Sequence, residues 1–358
     1  MSQSSIDKQK AAEKATRGNR LPYRYLSRKT WKMVGLVAAV IVILAATLVA
    51  IQVKASIDAS ASAAQNTPVK QVVVPPYQYY NPVLPPVPQG DTVNVQLEVQ
   101  ENLITIAPGV AYHAWTYDGT VPGPVIHLRQ GQTIHFTLIN HGTMPHAIDF
   151  HAAETPWNVN YQAIPANSSF SFNWKANYPG VFLYHCGAAP VIAHMSHGMY
   201  GMVVVDPASQ GYAQPADVQY AILQSEFYIM RTADGSYVND DNKALNAGTP
   251  DYVTFNGYSN QYEQHPLIAK VGQRIRIFIG NAGVNHFSAI HVIGAIIKDV
   301  YVDGNPGHHF TDAQTIIIPP GGASAIDLVI PQAGEYPLIT HDMSDMSKGA
   351  VALIKVTN

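Results

Sequence analysis

Apolar and polar residues alternate along much of this chain, and this period of two constrains its fold more than any other feature. Residues 93–100, VNVQLEVQ, alternate without interruption, and residues 133–140 and 274–280 are further β-rich runs among Gly, Pro and Asn residues. Successive side chains of a strand point to opposite faces, so the pattern predicts strands with one buried face. No segment beyond residue 90 shows a convincing long helical period. The predicted fold class is therefore all-β, of the sandwich kind.

Two pairs of similar segments predict that the β region is duplicated. Residues 124–140, PVIHLRQGQTIHFTLIN, are similar to residues 265–281, HPLIAKVGQRIRIFIGN. Residues 178–187, YPGVFLYHCG, are similar to residues 332–342, QAGEYPLITHD, with a histidine near the end of each. Both pairs occur in the same order, which favours duplication over chance similarity between strands.

The 268 residues beyond residue 90 suit two domains rather than one. We place domain 1 at residues 91–206 and domain 2 at residues 207–358. Beyond the first 32 residues the chain has 12 Lys and Arg against 22 Asp and Glu, a net charge of −10 with His neutral. A nucleic-acid-binding role is excluded, because it needs a basic surface. A small anionic substrate would need a local positive charge such as a metal ion.

The first ninety residues predict a membrane anchor and a linker. Nineteen uncharged residues, 33–51, are long enough to cross a bilayer, and nine Lys and Arg precede them. The positive-inside rule predicts a cytoplasmic tail at 1–32, an anchor at 33–53 and periplasmic or other extracytoplasmic domains. A cleaved signal peptide is the alternative, and it also exports the protein. Residues 54–90, rich in Ala and Ser and then in Pro and Tyr, predict an extended linker, with a docked arm as the alternative.

The single cysteine of the chain, Cys186, lies among histidines and methionines in YHCGAAPVIAHMSHGMYG. One cysteine cannot form an internal disulfide. Cys186, His194 and Met199 give the spacing Cys-x7-His-x4-Met on the loop that leaves a strand. Two imidazoles, a thiolate and a weak axial thioether make a blue-copper site. Met195 or Met202 could replace Met199, and His197 could replace His194.

The second imidazole must come from an earlier strand, and TMPHAIDFHAAE offers His146 and His151. Residues separated by an odd number of positions in a strand face opposite ways. His185 and Cys186 therefore diverge, and so do His146 and His151. The simplest assignment puts His146 with Cys186 at one copper and His151 with His185 at a second metal. Asp149 shares the parity of His151, so its carboxylate is expected at the second metal.

Domain 2 supplies further candidates. The segment AIHVIGA contains His291, with Ile293 on the same face, and LITHDMSD contains His341. Three imidazoles with an open fourth position are typical of a catalytic metal site. A packed core histidine is the alternative for His291, and His286 is its nearest competitor.

The motifs resemble those of copper-containing nitrite reductases. The resemblance covers roughly residues 91–358 and rests on these segments, in the family's order: WTYDGTVPGPVI, MPHAIDFHAAE, YHCGAAPVIAHMSHGMYG, FSAIHVIG and ITHD. It implies two tandem cupredoxin-like Greek-key β-sandwich domains, two coppers per chain and a homotrimer. The Cys-to-His spacing is one residue shorter than in the best-known members, and Ala147 stands where others often carry a polar residue.

The resemblance also implies a role for each candidate residue. The type 1 copper ligands would be His146, Cys186, His194 and Met199. The type 2 copper ligands would be His151 and His185 of one subunit and His341 of a neighbour. Asp149 and His291 would be the catalytic pair, and Ile293 would shape the pocket. The implied reaction is the one-electron reduction of nitrite to nitric oxide, in denitrification or detoxification, with a cupredoxin or c-type cytochrome as electron donor.

Three other functions compete with this one. A laccase-like oxidase needs several His-x-His pairs and a His-Cys-His, whereas this chain has His-Cys-Gly and no His-x-His. A zinc site of His151, His185 and His341 would leave the copper set without a purpose. An anchored cupredoxin that shuttles electrons or stores copper is the non-enzymatic alternative. Four residues receive no role: Met343, Met346, His308 and His309.

Overall fold

A computed structural model describes residues 32–33, 44–55, 72–208, 211–239 and 243–358. The chain divides into two compact units, Met1–Pro68 and Val69–Asn358. In the first unit, residues 44–55 are helical. No helix within the described residues is long and apolar enough to cross a membrane. Residues 34–43 of the predicted anchor, most of the basic tail and residues 56–71 of the linker lie outside the described residues.

The regular secondary structure of the second unit is mostly β-strand. The first eight are β1 Thr92–Ala107, β2 Val110–Tyr117, β3 Ile126–Arg129, β4 Thr133–Asn140, β5 Asp149–Phe150, β6 Ser168–Lys175, β7 Gly180–His185 and β8 Tyr200–Asp206. The others are β9 Val218–Phe227, β10 Ile229–Arg231, β11 Tyr237–Asn239, β12 Tyr252–Phe255, β13 His265–Lys270, β14 Arg274–Asn281, β15 Ser288–Val292, β16 Ile297–Val302, β17 His309–Ala313, β18 Thr315–Ile318, β19 Ala323–Val329, β20 Gly334–Thr340 and β21 Val351–Thr357. Short helices connect them at Trp157–Asn160, Val191–Ser196, Ala244–Ala247, Gln261–Gln264 and Met343–Ser347.

Strand pairing repeats between the two halves of this unit, the first from β1 to β8 and the second from β9 to β21. In the first half, β4 lies parallel to β1 and antiparallel to β6, while the facing sheet runs β3-β8-β7-β5. In the second half, β14 lies parallel to β9 and antiparallel to β19, while the facing sheet contains β13-β21-β20-β15. The same five pairings therefore recur in the same chain order, as duplication of a β-sandwich predicts. The halves are interleaved, however, because β11 pairs with β2 and extends the sheet of the first half.

Three apolar cores hold the strands together. One lies between the sheets of the first half and contains Cys186 and Met199, and a second fills the second half. The third joins the halves and includes Leu183, Met202 and Phe278. The strands β7 and β8 are thus buried on both faces. Their side chains point alternately into the first core and the third core, so neighbouring residues contribute to different cores.

The last part of the predicted linker, residues 72–90, belongs to the second unit and is hydrogen-bonded to later parts of it. The Tyr80 hydroxyl donates to the Gly123 carbonyl at 2.9 Å, and the Ala221 N–H donates to the Pro82 carbonyl at 2.7 Å. Proline lacks an N–H but keeps its carbonyl acceptor, so a proline-rich segment can be held by donors from the body. The docked arm, rather than a free tether, is what the structure has over these residues.

Candidate metal centres

Two groups of metal-ligand side chains form in the described part of the chain, at opposite sides of the end of β7. The first group is His146, Cys186 and His194, whose ligand atoms all lie within 4.8 Å of one another and are buried. The His194 Nδ1 atom lies 3.2 Å from the His146 Nδ1 atom and 3.2 Å from the Cys186 Sγ atom. Met199 is fully buried in the same core as Cys186. We call this group the first centre.

The β7–β8 connection explains why these residues meet. Cys186 directly follows β7, the helix Val191–Ser196 carries His194, and Met199 directly precedes β8. The Cys186 N–H donates to the Met199 carbonyl at 3.0 Å, and the Met199 N–H donates to the His194 carbonyl at 3.2 Å. These bonds close the connection into a compact loop, so one antiparallel strand pair presents three candidate ligands.

The protonation chemistry of the first centre suits a soft cation. Burial raises the pKa of the Cys186 thiol to about 11, although the Ala147 N–H donates to its sulfur at 3.3 Å. Burial, followed by the neighbouring His146 and His197 rings, lowers the pKa of His194 to about 4. Burial also lowers the pKa of His146, against the opposing effect of Glu101. Both imidazoles are therefore neutral ligands at pH 7, and a bound cation would displace the thiol proton.

The alternative ligands have other contacts. The His197 ring stacks on Trp115 with ring centroids 3.9 Å apart, and its Nδ1–H donates to the Ala193 carbonyl at 2.7 Å. Met202 belongs to the core between the two halves of the unit rather than to the core of Cys186. Met195 is half-buried on the helix that carries His194. These contacts favour His194 and Met199 over their competitors.

The second group is Asp149, His151 and His185, with ligand atoms again within 4.8 Å of one another. The Nε2 atoms of His151 and His185 lie 3.0 Å apart, and an Asp149 carboxylate oxygen lies 4.0 Å from the His185 Nε2 atom. Asp149 and His185 are register partners in the β5–β7 pair, which fixes their separation. The pKa of His151 is lowered, first by desolvation of its ring and then by the neighbouring His185 ring. We call this group the second centre.

One peptide bond, between His185 and Cys186, links the two centres. Cys186 belongs to the first centre and His185 to the second, as the alternation of side chains along a strand predicts. The His185 Nδ1–H donates to the Cys186 carbonyl at 3.1 Å, which leaves its Nε2 atom facing His151. A ring nitrogen held in this way fixes the tautomer and orientation of a metal-ligating histidine.

The predicted residues of domain 2 form a separate cluster. The His291 and His341 rings lie edge to face with centroids 5.5 Å apart, and the His291 Nδ1–H donates to the Gln314 carbonyl at 2.6 Å. The His341 side chain is exposed and Ile293 is 48% exposed. Neither histidine belongs to the two ligand groups found in the described residues, so the single chain does not bring them to Asp149.

Several histidines left open by the sequence now have defined contacts. The His286 ring bonds the Asp345 carboxylate at 2.8 Å and the Gly248 carbonyl at 2.7 Å, so both nitrogens are engaged. The His309 Nε2 atom bonds Asp299 at 2.8 Å. His308 lies on a cavity of about 280 Å³ that His151 also lines.

One residue near the first centre was missed by sequence reasoning. An oxygen of the Glu101 carboxylate lies 3.5 Å from the His146 Nε2 atom. The signal was present, because Glu101 continues the inward-facing positions Val93, Leu97 and Val99 of the alternating run. An acidic residue at an inward position of a strand requires a partner.

Comparison with known proteins agrees with this geometry. A family model described as multicopper oxidase matches residues 98–210. A copper-containing nitrite reductase of Neisseria meningitidis serogroup B is 37% identical over 287 residues, which cover 77% of this chain and 72% of that protein. The copper-containing nitrite reductase of Alcaligenes xylosoxydans is 30% identical over 74% of this chain and 86% of that protein.

Solved structures give the same answer. A copper nitrite reductase from Nitrosomonas europaea superimposes with a TM-score of 0.70 and 36% identity, over 75% of this chain and 94% of that chain. A multicopper oxidase at 24% identity and a TM-score of 0.64, over 74% of this chain and 89% of that chain, shares the fold alone. Identity at this level over most of the length of both proteins places this chain in the family of copper-containing nitrite reductases.

Proposed function

We propose that this chain reduces nitrite by one electron: nitrite, one electron and two protons give nitric oxide and water. The observation that carries the proposal is the pair His185 and Cys186, adjacent in sequence yet each placed in a different ligand group. The peptide between them offers the electron a short covalent path from a site that accepts it to a site that uses it. An isolated electron carrier would need only the first centre.

The ligand chemistry fits copper at both centres. The first centre would hold a type 1 copper through His146, Cys186, His194 and Met199. The second would hold a type 2 copper through His151 and His185, completed by His341 of a neighbouring copy. When bound, copper supplies one-electron chemistry and the positive charge that an anion needs in this acidic protein.

Residues of the chain would bind nitrite, position it and deliver protons. The Asp149 carboxylate beside His185 lies where it can hold a proton for the oxygen that leaves nitrite. His291 donates its Nδ1–H to the Gln314 carbonyl, so its Nε2 atom is the one that faces away from this bond and can relay the second proton. Ile293 contributes an apolar wall that limits the size of the anion.

The assembly we propose is a homotrimer. His341 is exposed in the single chain, and the surface near it carries exposed apolar side chains, Phe287, Ile317 and Met343. A second copy covering this surface would bury them and bring His341 to the His151 and His185 of its neighbour. Exposed apolar patches of this kind mark interfaces.

The location we propose is the outer face of the cytoplasmic membrane, with residues 33–53 as anchor and a cupredoxin or c-type cytochrome as electron donor. The uncharged segment 33–51 and the nine basic residues before it support this. Membrane fractionation of the full chain against a chain that begins at residue 54 tests the anchor.

His151→Ala tests the reaction itself. The variant should lose nitric oxide production by a factor of at least about 100, since loss of a residue that only orients a metal ligand already costs about 10- to 100-fold in metal affinity or activity. The thiolate-to-copper absorption of the first centre should persist, because His151 does not touch Cys186. Nitrite turnover at the normal rate would disprove the assignment of the second centre. If the unsubstituted protein itself showed the thiolate-to-copper absorption but did not turn over nitrite, it would be an electron shuttle.

A further inference from the structure

We infer that Glu101 is a positioning residue for His146 and that its charge lowers the reduction potential of the first centre. The inference rests on the copper loading proposed above, but not on turnover of nitrite. It concerns one carboxylate that lies behind a ligand and makes no contact with substrate.

The Glu101 carboxylate is held in place by the segment that carries His146. One of its oxygens accepts the Thr143 N–H at 2.6 Å, and the other accepts the Thr143 hydroxyl at 2.9 Å. The first oxygen also lies 3.5 Å from the His146 Nε2 atom. The carboxylate thus fixes the turn three residues before the ligand and faces the ligand itself.

The two nitrogens of His146 have separate surroundings. The Nδ1 atom points into the first centre, 3.2 Å from the His194 Nδ1 atom. The Nε2 atom is fully buried and makes no hydrogen bond of good geometry within the described residues. The charged group beside it is the Glu101 carboxylate. A buried N–H next to a carboxylate keeps its proton, so the Nδ1 lone pair remains free for a metal.

Gly142 makes this approach possible. A Cβ atom at this position would come within 2.7 Å of the Glu101 carboxylate and 3.0 Å of the His146 ring. The backbone therefore passes between carboxylate and imidazole only because the residue has no side chain. A close approach of this kind is a general reason for glycine in a loop.

The electrostatic consequence has a definite sign. Cu(II) carries one positive charge more than Cu(I), so a negative charge beside a ligand stabilises the oxidised ion more than the reduced one. Glu101 is only 22% exposed by its side chain, which limits screening by water. The carboxylate therefore lowers the reduction potential of the first centre, and its neutralisation raises that potential.

The same strand offers a matched control. The Glu98 carboxylate lies 3.5 Å from the His141 Nε2 atom, the same separation as between Glu101 and His146. The His141 side chain is 51% exposed and belongs to neither centre. Glu98→Gln removes the same charge from the same strand without changing a ligand's surroundings.

Spectroelectrochemical titration of copper-loaded protein tests the inference. Glu101→Gln should raise the midpoint potential of the thiolate-to-copper band, and Glu98→Gln should shift it far less. A several-fold change in the equilibrium with a one-electron mediator is expected, where tenfold corresponds to about 59 mV. The electron paramagnetic resonance signal of the second centre should not change.

Two outcomes would overturn the inference: a potential that moves no more than in Glu98→Gln, or one that falls. Should Glu101→Gln fail to fold, Glu101→Asp keeps the charge but withdraws it from His146, and a smaller shift in the same upward direction is required. The titration needs no nitrite. An inactive protein with a shifted potential would therefore contradict the proposed reaction alone, and an active protein with an unshifted potential would contradict the role of Glu101 alone.

Discussion

At the scale of single residues, burial shifts the pKa values of two ligands of the first centre in opposite directions. The same low-dielectric surroundings raise the pKa of Cys186 and lower that of His194, because each group is kept in its neutral form. A neutral imidazole is already a ligand, whereas a neutral thiol must lose its proton. The centre therefore exchanges one proton for a cation and stays apolar when empty.

This balance predicts a pH dependence in chelator-treated protein. The unfolded chain protonates His194 near pH 6.5, while the folded protein does so only near pH 4. Between these values the unfolded state binds more protons, so the free energy of unfolding falls as the pH falls, by up to about 3 kcal/mol from this residue. Urea unfolding at pH 6.5, 5 and 4 measures it, and His194→Gln should give a shallower slope.

The control for this measurement is His135→Gln, because the His135 ring lies on the exposed face of β4. Its slope should match that of the unsubstituted protein. Equal slopes for all three proteins would show that protonation of His194 does not oppose folding.

At the scale of elements, the second half of the folded unit keeps the architecture of the first centre without its ligands. In the first half, the Ala147 N–H donates to the Cys186 sulfur at 3.3 Å. In the second half, the Ala289 N–H donates to the Thr340 hydroxyl at 3.0 Å. The first bond joins the residues that flank β5 and β7, and the second joins the corresponding strands β15 and β20, so Thr340 occupies the place of Cys186.

The following loop shows the same substitution. The Met199 N–H donates to the His194 carbonyl at 3.2 Å, and the Ala350 N–H donates to the Asp345 carbonyl at 3.4 Å. Asp345 therefore takes the place of His194, and Ala350 that of Met199. Where the first half has a candidate metal site, the second half has an ion pair, because the Asp345 carboxylate bonds the His286 ring at 2.8 Å.

Removal of this ion pair should destabilise the protein. Asp345→Ala leaves the His286 ring without its carboxylate and opens a cavity under the helix Met343–Ser347, so the free energy of unfolding should fall by about 3 kcal/mol. Lys298→Ala removes the partner of Asp312 in an exposed pair at 3.4 Å and should change the free energy of unfolding by less than about 1 kcal/mol. Denaturant unfolding measures both changes. Similar decreases in the free energy of unfolding would show that the buried pair stabilises the protein no more than the exposed one.

The strand period and the duplicated segments predict the all-β class and the separation of His185 from Cys186, because both depend on local alternation. They do not reveal hydrogen-bond register between strands. The histidines near the ends of the similar segments, His185 and His341, look equivalent in sequence. In the structure Thr340 corresponds to Cys186, so His341 corresponds to Gly187. Register depends on pairing with distant strands, and a single sequence does not show it.

At the scale of the whole molecule, the proposed ligands of the second centre lie on two different surfaces, which one chain does not bring together. His151 and His185 lie 3.0 Å apart, while His341 lies beside His291 in the second half of the folded unit. A ring of identical subunits can join two different surfaces, because each interface pairs one surface with the other. The second centre would then exist only in the assembled protein.

Subunit mixing tests this division. His151→Ala and His341→Ala should each lack the type 2 copper signal when produced alone. When the two are produced together in equal amounts, an intact pair of His151 and His185 meets an intact His341 at about a quarter of the interfaces. Nitrite turnover and the type 2 signal should return to about that fraction of the wild-type values.

Mixing His151→Ala with His185→Ala is the control, because both changes damage the same half of the site. His151 and His185 come from one chain at 3.0 Å, so no arrangement of these subunits restores the pair. Recovery in the first mixture and none in the second requires a site shared between copies. Were neither mixture to recover while each variant still formed oligomers of normal mass, His341 would act within its own chain or not at all, and the shared second centre would have to be abandoned.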